Sequence, residues 1–176
     1  DMLILAGSIP KSMPDTIYMD IMAQLQDKGI DIVVDATGDL LMKVLPYHPF
    51  LVKPNNHELG ELFGVELKTR EEVVPYARKL QEQGARNVLV SMAGEGAVLL
   101  DAKGTEYMSE APKGKVVNAV GAGDSMVAGF VAGYQESGDY EYAFHMGLSA
   151  GSASAFSENL ATAEEVKNLF ITIHTK

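Results

Sequence analysis

The sequence contains no cysteine and no tryptophan. Without a thiol, disulfides, thiolate-held metals and cysteine nucleophiles are excluded, and the chain fits a reducing, cytoplasmic compartment. Basic residues are scarce: 14 Lys and Arg face 24 Asp and Glu, for a formal net charge of −10. That balance excludes a nucleic-acid binder working through bulk charge, so any anionic ligand has to be held by local donors. No apolar run approaches the ~20 residues of a bilayer-crossing helix, so no membrane partner is expected. The familiar nucleotide motifs are missing too. No G-x-x-x-x-G-K-[ST] occurs, and G-x-G-x-x-G fails twice, with Met126 and Leu99 at the third glycine position. There is no H-E-x-x-H and no G-x-S-x-G. The histidines (His48, His57, His145, His174) are scattered without ligand spacing.

What is present is an apolar content of 47% in 176 residues, enough for one ordinary domain with a real core. Short Val/Ile/Leu runs alternate with helical patterns. Strands are expected at 2–7, 30–37, 50–55, 87–91 and 97–101, with a further short one in "EYMS". Helices are expected between them. Thr69 and Glu72 have capping-box spacing, and so do Thr162 and Glu165. Pro75 predicts a late start or a kink in the helix running to Gln83. Continuous apolar strands between helices imply a mainly parallel sheet covered on both faces, with an antiparallel piece turning at Lys103-Gly104. Ligands in such folds sit beyond the carboxyl ends of the strands, where Gly7-Ser8, Asp35, Asn55, Ser91 and Gly121 to Asp124 gather. The opening "DMLILAGSIPKS" begins with an acid and runs straight into a strand, so it does not read as a signal peptide. A chain opening mid-strand is expected to be part of something longer.

Three constellations carry chemistry. In "NAVGAGDSMVAGF", Gly121, Ala122 and Gly123 let successive backbone N–H groups point outward at a helix start. That makes an anion hole suited to a phosphoryl group in flight. Asp124 beside it can accept the proton of an attacking hydroxyl; the plainer alternative is a first-turn acid favoured by the helix dipole. In "VKPNNHELGELFG", Asn55 and Glu58 bring an amide and a carboxylate near one point, suited to water-mediated Mg2+ or simply to a helix cap. Lys53 could touch a phosphate, although a solvated lysine is the plainer expectation. In "SMAGEGAV", Ser91 ends a strand while Gly94 and Gly96 allow close approach, either to a nucleotide's ribose and phosphates or within an ordinary tight turn.

In this order, the three segments resemble the PfkB carbohydrate kinases, the ribokinase-like sugar kinases, from residue 1 to about 170. "AGSIPKSMP" is similar to the Gly-Ser-Leu-Pro turn found midway through such enzymes. The resemblance implies a ribokinase-like three-layer α/β/α fold with a mainly parallel sheet, here without the N-terminal units and lid. It implies ATP and Mg2+ as cofactors and a phosphosugar as substrate. Within the family, "GSIP", "VKPN" and "GAGDSMVAGF" are most similar to the branch that phosphorylates the 6-hydroxyl of fructose 1-phosphate, with tagatose-6-phosphate kinases as near relatives. Carried over, Asp124 is the general base and Gly121, Ala122 and Gly123 the anion hole. Asn55 and Glu58 organise the metal, and Ser91, Met92, Ala93, Gly94, Glu95 and Gly96, with Gly123, hold ATP. Ala119 departs from the family's usual Thr, Ser, Val or Pro. Family dimers form through the lid, so a homodimer is open to the complete protein. A nucleotide-binding module without catalysis is the rival reading for this chain, and a dehydrogenase is disfavoured by the missing third glycine.

Overall fold

Apolar runs too short for helices, most of them followed by an amphipathic helical pattern, dictate an alternation of strands and helices. A computed structural model describes residues 1–174, without the side chain of His174. The elements are β1 (Met2–Ala6), α1 (Ile17–Leu25), β2 (Asp31–Asp35), α2 (Gly38–Val44), β3 (Leu51–Val52), α3 (Asn56–Phe63), α4 (Arg70–Glu82) and β4 (Asn87–Ser91). They continue with β5 (Ala97–Leu100), β6 (Glu106–Ser109), α5 (Ala122–Ser137), α6 (Tyr140–Ala155) and α7 (Ala163–His174). The strands form one sheet in chain order, and β1 to β4 pair in parallel. Parallel neighbours require crossovers, which α1, α2 and the α3–α4 pair supply. Asp101 N–H donates to Thr105 O at 3.0 Å and Gly104 N–H to Asp101 O at 2.9 Å, closing the turn after β5. No helix among the described residues is long and apolar enough to cross a membrane.

The chain divides into two compact units, Asp1–Met92 with Val98–Glu106, and Ala93–Ala97 with Tyr107–Lys176. In the first, Val34, Val52, Val88 and Val90 from the strands pack with Leu41, Leu59, Val73 and Leu80 from the helices. Each fully buried aliphatic side chain contributes about 1.5–3 kcal/mol. Asn87 is a buried polar residue with its amide satisfied: Nδ2 donates to Phe50 O and Oδ1 accepts from Ala102 N, both at 2.7 Å.

Two expectations change. The strand expected over 50–55 is cut to Leu51–Val52, because Pro54 has no N–H to give the ladder. Pairing resumes one residue later as an isolated parallel bridge between Asn55 and Ser91. Pro75 does not delay α4, which starts at Arg70 behind the complete Thr69–Glu72 capping box. Burial of Val73, Val74, Ala77 and Leu80 along one face carries the helix through the proline.

The second unit is built on close helix contact. Small residues on α5 (Gly129, Gly133) and α6 (Gly147, Gly151) let the two backbones approach: a Cβ on Gly147 would lie 2.9 Å from Met126 O, and one on Gly151 would lie 3.0 Å from Ala122 O. α7 opens as the sequence predicts. Thr162 N–H donates to Glu165 Oε2 at 2.7 Å, and Glu165 N–H to Thr162 Oγ1 at 3.3 Å.

Candidate active site

In the first unit the polar residues collect at the carboxyl ends of β1, β2 and β3. β1 delivers Gly7 in a left-handed conformation (φ +91), and both its backbone groups are held. Its N–H donates to Asp35 O at 3.2 Å, and its carbonyl accepts from the Tyr18 hydroxyl at 2.9 Å. The same hydroxyl lies 2.7 Å from Ala6 O. Burial, and then the negative charge of Asp35, push the Tyr18 hydroxyl above its ordinary pKa, so it stays a neutral donor.

Lys53 departs from the solvated lysine of the plainer expectation. Its side chain is 8% exposed, with Nζ 3.5 Å from Asp35 Oδ1. β3 is interior, so a residue immediately beyond it is drawn in, and an ammonium there needs a countercharge. The sequence singled out Asp35 but gave no hint of this pairing.

Asn55 and Glu58 form a full capping box. Asn55 Oδ1 accepts from Glu58 N at 2.8 Å, and Glu58 Oε2 accepts from Asn55 N at 2.8 Å. The cap and the metal role are compatible, because a carboxylate offers about four lone-pair directions and the cap uses one. Among the described residues no three His, Cys, Asp or Glu side chains cluster as a metal site. The donors present are hard oxygens, which suit Mg2+ that keeps its waters and leans on substrate phosphates. Ser91 joins them through the Asn55 bridge, and its N–H donates to Pro54 O at 3.2 Å.

The segment after Ser91 passes into the second unit. Met92 is buried in the core, so only its backbone is open to a ligand. Ala93 to Glu95 form one turn of 3-10 helix. Gly94 has open space where a Cβ would stand. Gly96 does not: at φ +91 its Cβ would run into the carbonyl of Ser109, so the chain itself requires that glycine.

In the same unit, Gly121 (φ +79) caps α5 without any side-chain cap. Of the three anion-hole amides, that of Ala122 is taken by Ala119 O at 3.2 Å, while those of Gly121 and Gly123 donate to no backbone oxygen among the described residues. Asp124 stands in the first turn, exposed, with no hydrogen bond or ion pair among the described residues. The preceding loop is pinned: Val117 N and Asn118 N donate to Ala155 O at 2.8 and 3.1 Å, and Asn118 Oδ1 accepts from Val120 N at 3.0 Å. Asn118 Nδ2 donates to Glu158 O at 3.2 Å. Sequence reading passed over Asn118, and its place just ahead of a glycine turn was the available signal. A pinned loop ending in amides and a carboxylate that have no partner among the described residues can hold an anion and take up a proton.

A family model described as pfkB family carbohydrate kinase matches residues 1–167. The chain is 50% identical over 169 residues to the 1-phosphofructokinase of Bacillus subtilis (strain 168), covering 96% of this chain and 55% of that protein. It is 36% identical over 166 residues to the D-tagatose-1-phosphate kinase of Bacillus licheniformis, covering 93% of this chain and 54% of that protein. The crystal structure of phosphofructokinase-2 from Escherichia coli in complex with substrates and products superimposes with a TM-score of 0.90 at 28% identity, covering 98% of this chain and 57% of that one. The chain thus spans about half the length of these relatives.

Proposed function

From a chain that belongs to the pfkB family of carbohydrate kinases, we propose an ATP-dependent kinase that phosphorylates the 6-hydroxyl of fructose 1-phosphate, giving fructose 1,6-bisphosphate. The observation that carries this reading is Asp124: an exposed carboxylate in the first turn of α5, unpaired among the described residues and immediately beyond Gly121 and Gly123. Phosphoryl transfer is mostly positioning and charge neutralisation. Asp124 accepts the hydroxyl proton as the hydroxyl oxygen bonds to the γ-phosphorus and the bond to ADP breaks. The amides of Gly121 and Gly123 offer donors to the transferring oxygens, with the helix dipole behind them. Asn55 and Glu58 would hold hydrated Mg2+, which when bound neutralises the phosphate charge. The backbone from Ser91 to Gly96 lines the nucleotide, with Gly94 leaving room beside it.

The choice of fructose 1-phosphate rests on the similarity to the Bacillus subtilis protein. A tagatose phosphate is the second reading, and the similarity to a D-tagatose-1-phosphate kinase favours the 1-phosphate over the 6-phosphate. The deciding experiment is Asp124→Asn in the full-length protein, assayed on both ketose 1-phosphates. Turnover should fall about 10²- to 10⁴-fold, the usual general-base contribution, while MgATP binding by calorimetry stays within a few fold. Near-normal turnover by this variant would remove Asp124 from the mechanism.

A further inference from the structure

We infer that Ser154 is a positioning residue for the first turn of α5, acting through Ser125; this deepens, and rests on, the reading of Asp124 as the base. Ser154 lies in the last turn of α6 and is 3% exposed. Its Oγ accepts from Ala161 N at 3.0 Å and donates to Ser125 Oγ at 2.8 Å. A backbone N–H can only donate, so Ser154 Oγ is the acceptor towards Ala161, and its own hydrogen is left for Ser125. Ser125 follows Asp124 directly, and its own N–H donates to Gly121 O at 2.9 Å, closing the turn that carries the carboxylate.

Neighbouring serines behave differently. Ser149 Oγ donates to His145 O at 2.7 Å and Ser157 Oγ to Ala153 O at 2.9 Å, each folding back on a carbonyl four residues earlier, as helix serines commonly do. Ser154 instead reaches across to α5. One turn before it, Gly151 presents bare backbone, where a Cβ would stand 3.0 Å from Ala122 O. α6 therefore meets the first turn of α5 at two points, a gap beside Ala122 and a hydroxyl on Ser125. The gap sets how near the turn comes. The hydroxyl sets how it is rotated about the helix axis, and so where the Asp124 carboxylate and the Gly123 N–H are directed.

The test is a double-mutant cycle in the full-length protein with Ser154→Ala, Ser125→Ala and the pair. Ser154→Ala should lower kcat about five- to tenfold, the usual worth of one hydrogen bond, with KM for MgATP and for the ketose 1-phosphate within about twofold. In the Ser125→Ala background the same substitution should cost nothing further, and Ser154→Cys, which keeps a weak donor, should recover part of the loss. Additive losses in the cycle, or an unchanged kcat, would overturn the inference. Amide exchange at Ser125 supplies a readout that needs no turnover, and it should accelerate about five- to tenfold in Ser154→Ala. If the wild-type protein transfers no phosphoryl group, the functional reading fails while exchange still decides the positioning role: unchanged protection refutes it, faster exchange sustains it.

Discussion

Replacing Gly129 by alanine sets two effects of opposite sign against each other. In a solvent-facing helix the change would stabilise by roughly 1 kcal/mol, because alanine is the better helix former. Gly129 is not solvent-facing. A Cβ there would stand 2.6 Å from Ala150 Cβ and 2.6 Å from Met146 O, both on α6. One of these neighbours is backbone, which cannot rotate away, so the helices must separate. Overpacking of this kind costs about 1–3 kcal/mol. With a close contact on each of two atoms, the upper part of that range applies, leaving a net loss of about 1–2 kcal/mol after the propensity gain. At about 2–4 °C per kcal/mol for a chain of this size, the melting temperature should fall by roughly 2–8 °C. Calorimetry on the wild type and Gly129→Ala reads this directly. A melting temperature that rises would mean that helix propensity wins, and that the two helices are not in the tight contact described.

Further outcomes are expected at other sites. Lys53→Met takes the ammonium countercharge away from Asp35 and should cost about 3 kcal/mol in urea unfolding, the lower end for breaking a buried pair, while Lys53→Met with Asp35→Asn recovers most of it; a single-variant loss below about 1 kcal/mol would contradict the pairing. Bonds from Thr162, backbone first, hold the Glu165 carboxyl below its ordinary range. The folded form therefore favours the ionised state, so its contribution is complete above the ordinary carboxylate range and is lost as pH falls through the depressed value. Stability measured against pH should lose that part of its acid slope in Glu165→Gln, and an unaltered slope would count against the cap. The 176-residue chain alone, which spans about half the length of its relatives, should bind MgATP calorimetrically but turn over little fructose 1-phosphate; appreciable turnover by it would overturn this.

Much of this was legible in the residue order, for identifiable reasons. Thr69 with Glu72, and Thr162 with Glu165, announced their helices because a capping box is local chemistry, complete within four residues. Asn55 and Ser91 could be placed together because each closes a buried strand, and buried parallel strands expose their carboxyl ends at one edge. What could not be read depended on partners distant in sequence. Lys53 looked solvated because nothing in its neighbourhood names Asp35, and its burial follows only from the interior place of β3. Gly96 read equally as room for a ligand or as part of a tight turn, and only the approach of the Ser109 carbonyl, distant in sequence, shows what its missing Cβ makes way for. The Ala122 amide looked like one of three equal donors until the turn tightened enough for Ala119 O to reach it. Ser154 sits among small residues in α6, where a serine reads as filler.

The order of β1, β2, β3 and β4 has a consequence for how the chain comes into being. Each of β2, β3 and β4 is hydrogen-bonded to the strand made just before it, through Met2↔Asp31, Val33↔Leu51 and Leu51↔Asn87. No strand in this series has to wait for a distant segment before it can find its neighbour. Loop-closure entropy is thus met in small instalments, one crossover at a time. During synthesis the newest strand always meets an edge already laid down, so the exposed edge advances with the growing chain and each earlier one is covered in turn.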